Sequence, residues 1–141
     1  MVKVVSSADE LERIRRIQDN YNTIKERVAR AAYRVGRLPE SVRVMAVTKS
    51  FPREDVVAVV GAGLELLGEN RVQEASGKHA DGSRSYELHL IGHLQRNKAR
   101  DAAKLFDTVQ SIDSLQIAVA LEHRCSVLNR TLAILLQMNA S

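Results

Sequence analysis

Lys49 is the residue whose position most directly indicates chemistry. It follows Val42–Thr48, a short apolar run rich in β-branched residues, and such a run is typical of a buried strand. A lysine amine is a nucleophile only when it is uncharged, and partial burial disfavours the charged form. Lys49 is therefore the first candidate for a functional residue, with a solvated loop lysine as the alternative.

Polar segments also follow three further apolar runs. They are Gly68–Asn70, Gly92–Gln95 and Asp113–Ser114. In proteins with a parallel sheet, functional groups gather where strands end and loops begin. These segments are therefore expected to lie near Lys49, although Asn70 is equally suited to capping the helix predicted after it.

The histidines and the cysteine do not predict a metal site. His89 and His93 are four residues apart, but they fall on a strand and its loop, so they share no helical face. His123 and Cys125 would supply two ligands without a second pair. The basic run between residues 96 and 104 is typical of a solvated helix face, and only 4% of the residues are aromatic, so nucleic-acid binding is not expected.

The spacing of apolar residues predicts the elements that position these segments. From Leu11 to Val35 they recur every three or four residues, which predicts one long amphipathic helix, docked on the rest of the chain rather than in a free coiled coil. Strands and helices alternate after it. Strands are predicted at 42–48, 64–67, 87–91, 108–112 and 131–138, and helices at 53–62, 70–78, 97–106 and 114–123.

This alternation, with short connections, predicts an α/β fold with a parallel sheet covered by helices. Two architectures satisfy it: an open doubly wound sheet and part of a (β/α)8 barrel. Periodicity alone leaves both open.

Composition limits the class of protein. A chain of 141 residues fits a single domain, and its net charge of +4 is mildly basic. The single cysteine, Cys125, suits a reducing compartment. The first ten residues lack the apolar segment of a signal peptide, and no apolar stretch reaches the length of a membrane span. A cytoplasmic location is the resulting expectation.

The strand-end segments resemble a known family. Ala46–Ser50 (AVTKS), Gly68–Glu74 (GENRVQE) and His89–Lys98 (HLIGHLQRNK) are similar to segments of the pyridoxal phosphate (PLP) homeostasis proteins, the YggS/PROSC family. Ser111–Asp113 and Leu136–Asn139 match the next two strands. The order and the spacing of the segments match as well.

The resemblance implies a PLP-binding (β/α)8 barrel of PLP fold type III, similar to the N-terminal barrel of alanine racemase. In that family the lysine after the first strand holds PLP as an imine, which is Lys49 here. The resemblance also places Asn70 near the cofactor ring. His93 is a candidate to line the pocket because of its position after the third predicted strand. The resemblance implies a role in keeping intracellular PLP balanced, without catalytic turnover.

The chain departs from the family in length. A complete barrel has eight strands and about 250 residues, whereas five strands are predicted here. The single domain over residues 1–141 is thus expected to be a barrel truncated at its C-terminal side. The open sheet edges predict self-association. Two other functions remain open: a racemase-like PLP enzyme, which needs a second acid or base not evident here, and a non-catalytic interaction module or non-functional fragment.

Overall fold

The structure, a computed structural model, describes residues 7–79, 84–138 and 140. The expectation of no leader rests largely on residues 1–6, which lie outside this range. Five helices are described: α1 (Ser7–Arg34), α2 (Arg53–Gly61), α3 (Val72–His79), α4 (Ala99–Leu105) and α5 (Leu115–Val127). Five strands are described: β1 (Ala46–Val47), β2 (Leu66–Glu69), β3 (Glu87–Leu90), β4 (Thr108–Ile112) and β5 (Ala133–Leu136). Short 3₁₀ helices occupy Pro39–Ser41 and Arg96–Lys98.

The order of the strands decides between the two architectures. All five pair in parallel, and each lies beside the strand that precedes it in the chain. A doubly wound sheet reverses its strand order at a switch point, whereas a barrel adds each strand beside the last. The fold is therefore an incomplete (β/α)8 barrel, as the resemblance implied.

The long first helix is docked, as expected. Arg13 of α1 forms an ion pair of 3.0 Å with Asp55 of α2. Ile14 packs over Gly61 so closely that a β-carbon there would lie 3.1 Å from the Ile14 side chain. The apolar stripe is only partly covered, because Leu11 and Ile24 remain exposed.

The first and last strands are shorter than predicted, and both are exposed. The first was predicted as a buried strand at 42–48, but β1 has two residues, and Val47 is 44% exposed. The last was predicted at 131–138, but β5 spans Ala133–Leu136, with Leu136 exposed. Each strand has a neighbour on one side only. Apolar periodicity cannot distinguish such an edge strand from a central one.

The core lies between the middle strands and helices α3, α4 and α5. Fully buried side chains include Leu67 of β2, Leu88 and Leu90 of β3, and Val109 of β4. Phe106, at the end of α4, is the largest of the fully buried side chains. This core fixes the positions of the middle strands and therefore of the loops that follow their carboxyl ends.

Arg130 links the end of α4 to the sheet at the amino ends of the strands. Its guanidinium donates hydrogen bonds of 2.8, 2.6 and 2.7 Å to the carbonyls of Ala103, Lys104 and Phe106, which end α4. It also contacts Asp107 at 3.0 Å. Asp107 in turn accepts the backbone N–H of Leu88 at 2.8 Å. The start of β4, the end of α4 and β3 are thus tied together at the amino ends of the strands.

Replacing Phe106 with alanine is expected to destabilise the fold by about 3–5 kcal/mol, because the change leaves a cavity in a fully buried position. The other phenylalanine, Phe51, is 55% exposed and provides a matched control. Phe51→Ala is expected to change stability by no more than about 0.5 kcal/mol. Urea unfolding followed by circular dichroism measures both, and equal losses would show that the core is not centred on Phe106.

Candidate functional site

The carboxyl ends of the strands meet at one edge of the sheet because all the strands are parallel. The loops at this edge begin with Thr48 after β1, Asn70 after β2, Ile91 after β3 and Asp113 after β4. The functional segments predicted from the sequence therefore share an edge.

Lys49 lies in a tight turn after β1. The N–H of Phe51 donates to the carbonyl of Thr48 at 3.2 Å, and Ser50 has a left-handed backbone with φ of 64°. The Lys49 side chain is exposed, so the expected partial burial of its amine is not seen here. The turn itself is anchored, because Thr48 is only 3% exposed.

A cluster of charged side chains lies beside this turn, on the side of α3. Its centre is the carboxylate of Glu69, the last residue of β2, which is completely buried. Glu69 Oε1 accepts hydrogen bonds from Thr48 Oγ1 at 2.8 Å and pairs with Lys78 Nζ, also at 2.8 Å. The second carboxylate oxygen, Oε2, has no hydrogen-bond partner within the part of the chain described. We refer to Glu69, its partners Thr48, Lys78 and His79, and Glu74, which pairs with Lys78, as the Glu69 cluster.

His79 binds Glu69 through one ring nitrogen and Tyr86 through the other. His79 Nε2 lies 3.1 Å from Glu69 Oε1, and Nδ1 lies 2.8 Å from the hydroxyl of Tyr86. A carboxylate can only accept, so Nε2 carries the proton. In the neutral ring Nδ1 then accepts the hydroxyl proton of Tyr86. This chain of hydrogen bonds fixes one histidine tautomer.

Hydrogen bonds in the cluster stabilise the charged forms of its members. Burial alone would raise the pKa of Glu69, but hydrogen bonds from His79, Lys78 and Thr48 outweigh it and hold the pKa below that of a free glutamate. The pKa of Glu74 is also lowered, first by its bond with Lys78 and then by the backbone N–H of Ser50. Burial would lower the pKa of Lys78, yet its bonds to Glu69 and Glu74 give a net increase. Glu69, Glu74 and Lys78 are therefore ionised and paired at neutral pH.

Asn70 is held by the neighbouring strand end. Gly92 lies against the Asn70 backbone so closely that a β-carbon on Gly92 would be 2.8 Å from Asn70 Cα. The hydroxyl of Ser111 donates to the Gly92 carbonyl at 2.6 Å. Three consecutive strand ends are thereby linked in a row. Asn70 itself is half-buried, and the glycine at 92 is required because nothing larger fits.

His93 and Asn70 line the same cleft. The cleft has a volume of about 830 Å³, and its lining also includes Gln95, Arg71 and Lys98. Lys49 does not line it. The structure therefore brings two of the three predicted site residues together, and the third lies on the adjacent turn. The two cations in the lining outnumber its carboxylate, Glu74, so the cleft would attract an anion.

Asp113 does not cap α5, although its spacing from Gln116 suggests that role. With Gln116 three residues later, it has the pattern of a capping box for α5, but the residue at the N-cap is Ser114, which makes no side-chain capping bond. Asp113 Oδ2 instead lies 3.2 Å from His93 Nδ1. His93 is 64% exposed in its side chain, so this pair is a solvated contact that orients the imidazole at the rim of the cleft.

Sequence reasoning missed the Glu69 cluster. Its members come from β2, α3 and the turn after β1, and their convergence depends on where α3 lies. One signal was readable: Glu74 and Lys78 are four residues apart on a helix, a spacing that places side chains of opposite charge together. Their ion pair is 2.8 Å. A glutamate at the end of an apolar strand was the second signal, since such a group needs a partner when buried.

Neither a metal site nor a membrane span is found among the described residues. Within them, no three histidine, cysteine, aspartate or glutamate side chains come together as a set of metal ligands. No helix in these ranges is both long enough and apolar enough to cross a membrane.

Comparison with known proteins identifies relatives in sequence and structure. Pyridoxal phosphate homeostasis proteins of Escherichia coli K12 and Pseudomonas aeruginosa are 36% and 37% identical over 129 and 126 residues, in each case 89% of this chain and 55% of the relative. The chain thus spans about half the length of these curated relatives. No protein-family model matches the chain.

Solved structures agree with the sequence comparison. PipY of Synechococcus elongatus, solved with PLP bound, aligns with a TM-score of 0.70 at 37% identity, covering 81% of this chain and 55% of that protein. An unknown protein from Bifidobacterium adolescentis aligns with a TM-score of 0.76 at 30% identity, covering 94% of this chain and 57% of that protein. The incomplete barrel therefore corresponds to part of a longer known fold.

Replacing Gly92 with alanine is expected to destabilise the chain by about 2 kcal/mol or more, because the new methyl group would overlap the Asn70 backbone. Gly77, inside α3, has no atom within 4 Å of where its β-carbon would be. Gly77→Ala is therefore a matched control and is expected to stabilise by about 0.5–1 kcal/mol. Thermal unfolding distinguishes the two, and a neutral Gly92→Ala would contradict the close approach of the strand ends.

The free energy of unfolding is expected to fall as the cluster carboxylates are protonated. The pKa values of Glu69 and Glu74 are lower in the folded chain than in the unfolded one. Their stabilisation is thus present above the ordinary glutamate pKa of about 4.3 and is lost as the pH drops below it. Unfolding midpoints between pH 7 and pH 3 should decline less steeply for Glu74→Gln than for the wild type. Glu122→Gln, on the outer face of α5, is the control, and three parallel curves would count against an ionised cluster.

Proposed function

The chain is a relative of the N-terminal half of the pyridoxal phosphate homeostasis proteins, and from this premise we propose that it is the N-terminal portion of a PLP-binding barrel. Its role is the intracellular homeostasis of PLP, without catalytic turnover. The observation that carries the proposal is the position of Lys49, which follows the first strand of a sequentially ordered parallel sheet. Residues 1–141 form one domain in this proposal.

The residues at the strand ends fit an aldehyde cofactor with a phosphate group. The amine of Lys49 is exposed, so an aldehyde can reach it and be held through an imine linkage. Asn70 offers an amide for hydrogen bonds to ring substituents, and His93 lines the cleft beside it. When bound, PLP supplies an electrophilic carbonyl and an electron-withdrawing ring.

The phosphate of the cofactor requires an anchor. In (β/α)8 enzymes the phosphate site generally follows strands seven and eight, whereas five strands are described here. Arg71 and Lys98 provide positive charge at the cleft, which supports weak attraction of a phosphate. Full affinity is therefore proposed for a complete barrel, and weaker binding for the 141-residue chain alone.

The other functions have less support. A racemase-like enzyme needs a second acid or base on the opposite face of the ring, and no residue described at the strand ends is assigned that role. An interaction module would use the apolar side chains exposed on β5, such as Leu135 and Leu136. Self-association through the sheet edges remains a prediction for the 141-residue chain.

Titration with PLP, followed by borohydride reduction and peptide mass spectrometry, tests the proposal. In the wild type we expect a near-visible absorbance band and a reduced adduct mainly on Lys49. Lys49→Ala is expected to lose the band and to weaken PLP binding by about ten-fold or more, or about 1.4 kcal/mol.

Lys104→Ala is the matched control, because Lys104 is an exposed lysine on α4, away from the strand ends. It should bind PLP as the wild type does. Adducts spread over surface lysines, with the same total in Lys49→Ala, would reject the proposed site.

A further inference from the structure

Lys78 connects α3 to both sides of the turn that carries Lys49. Its ammonium group donates to the carbonyl of Thr48 at 2.9 Å and to the carbonyl of Phe51 at 3.1 Å. These two carbonyls flank Lys49 and Ser50 in the chain. Lys78 also pairs with Glu69 and Glu74 at 2.8 Å each, so its own position is fixed by two carboxylates.

Glu74 holds the middle of the same turn. Its Oε1 accepts the backbone N–H of Ser50 at 2.6 Å. Ser50 adopts a left-handed backbone with φ of 64°, a conformation that is unfavourable for a residue with a β-carbon. A charge-assisted hydrogen bond to that N–H opposes the strain. The turn is therefore fastened at Thr48, Ser50 and Phe51, while the Lys49 side chain between them is exposed.

Lys78 and Lys49 differ in their exposure to solvent. The Lys78 side chain is 9% exposed, and its nitrogen lies among four oxygen acceptors, two of them carboxylate. Such an amine keeps its proton and is closed to an aldehyde. The Lys49 amine has open access to solvent. The arrangement therefore directs chemistry to Lys49 while Lys78 remains a cation.

We propose that Lys78 and Glu74 are positioning residues, which hold the 48–51 turn in the conformation that presents Lys49 at the strand ends. This inference rests on the proposed role of Lys49 as the site of PLP attachment. The buried carboxylate of Glu69 supports this inference, because it pairs with the Lys78 ammonium and fixes its position. Lys78 does not line the strand-end cleft, and Glu74, which borders it, is bound to the turn and to Lys78.

Hydrogen exchange without PLP tests the turn itself. Glu74→Ala removes the acceptor of the Ser50 amide, and exchange at that amide should accelerate by about ten-fold or more, as expected for loss of a hydrogen bond to a charged group. Amides of β2 and β3 should exchange as in the wild type. Glu74→Gln retains an acceptor oxygen and should restore much of the protection. Glu122→Ala, on α5, is the matched control and should change nothing.

Reductive trapping with PLP tests the consequence for Lys49. In Glu74→Ala and Lys78→Met the fraction of label on Lys49 should fall several-fold, with partial recovery in Glu74→Gln. Lys78→Met leaves the buried Glu69 carboxylate without its ammonium partner. If that variant does not fold, Glu74→Ala carries the test alone, because the Glu74 side chain is 30% exposed. A purely structural role would lower the unfolding midpoint without redistributing the label.

The two proposals fail in different ways. Unchanged exchange at Ser50 in a folded Glu74→Ala would overturn the positioning inference, whatever PLP does. Accelerated exchange with wild-type labelling of Lys49 would also overturn it, because the order of the turn would then not matter to the amine. Absence of label on Lys49 in the wild type would reject the proposed function, while faster exchange in Glu74→Ala would still show that Glu74 holds the turn.

Discussion

The arrangement of the strand ends depends on one buried charge, the carboxylate of Glu69. A buried carboxylate is stable only when paired and hydrogen-bonded. Thr48, after β1, and the adjacent Lys78 and His79 of α3 meet this requirement from two different segments. Satisfying one charge therefore draws the end of β1 and the end of α3 together above β2. The turn that bears Lys49 lies where it does because its neighbours serve this carboxylate.

The two faces of β2 have different surroundings. Leu67 faces the helices as part of the core, and Glu69 points the same way toward α3. Gly68, between them, faces Met45 and Ile91 on the other side of the sheet. The buried charge that holds the loops thus lies on the helix side. The strand-end cleft is lined by groups suited to contacting a ligand, such as the Asn70 amide, together with the carboxylate of Glu74.

The sequence predicted the alternation of elements, the parallel sheet and the segments that gather at one edge. It was most accurate at β4, predicted and found at Thr108–Ile112, a strand that pairs on both sides. It failed at β1, where an edge position limits pairing to two residues. The exposure of Lys49 and the Lys78 contacts were out of reach, because both depend on how distant segments pack. The roles of Lys49, Asn70 and His93 in holding PLP remain predictions.

The sequential strand order also bears on the order in which the strands can pair during synthesis. Ala46 pairs with Leu67, Leu67 with Leu88, and His89 with Thr108, so each strand finds its partner one strand–helix unit earlier in the chain. A ribosome releases the chain from its N-terminus, and domains fold as they emerge. Each new strand of this sheet therefore leaves the ribosome after the edge that it joins. Growth of the barrel by one unit at a time is built into the order of its residues.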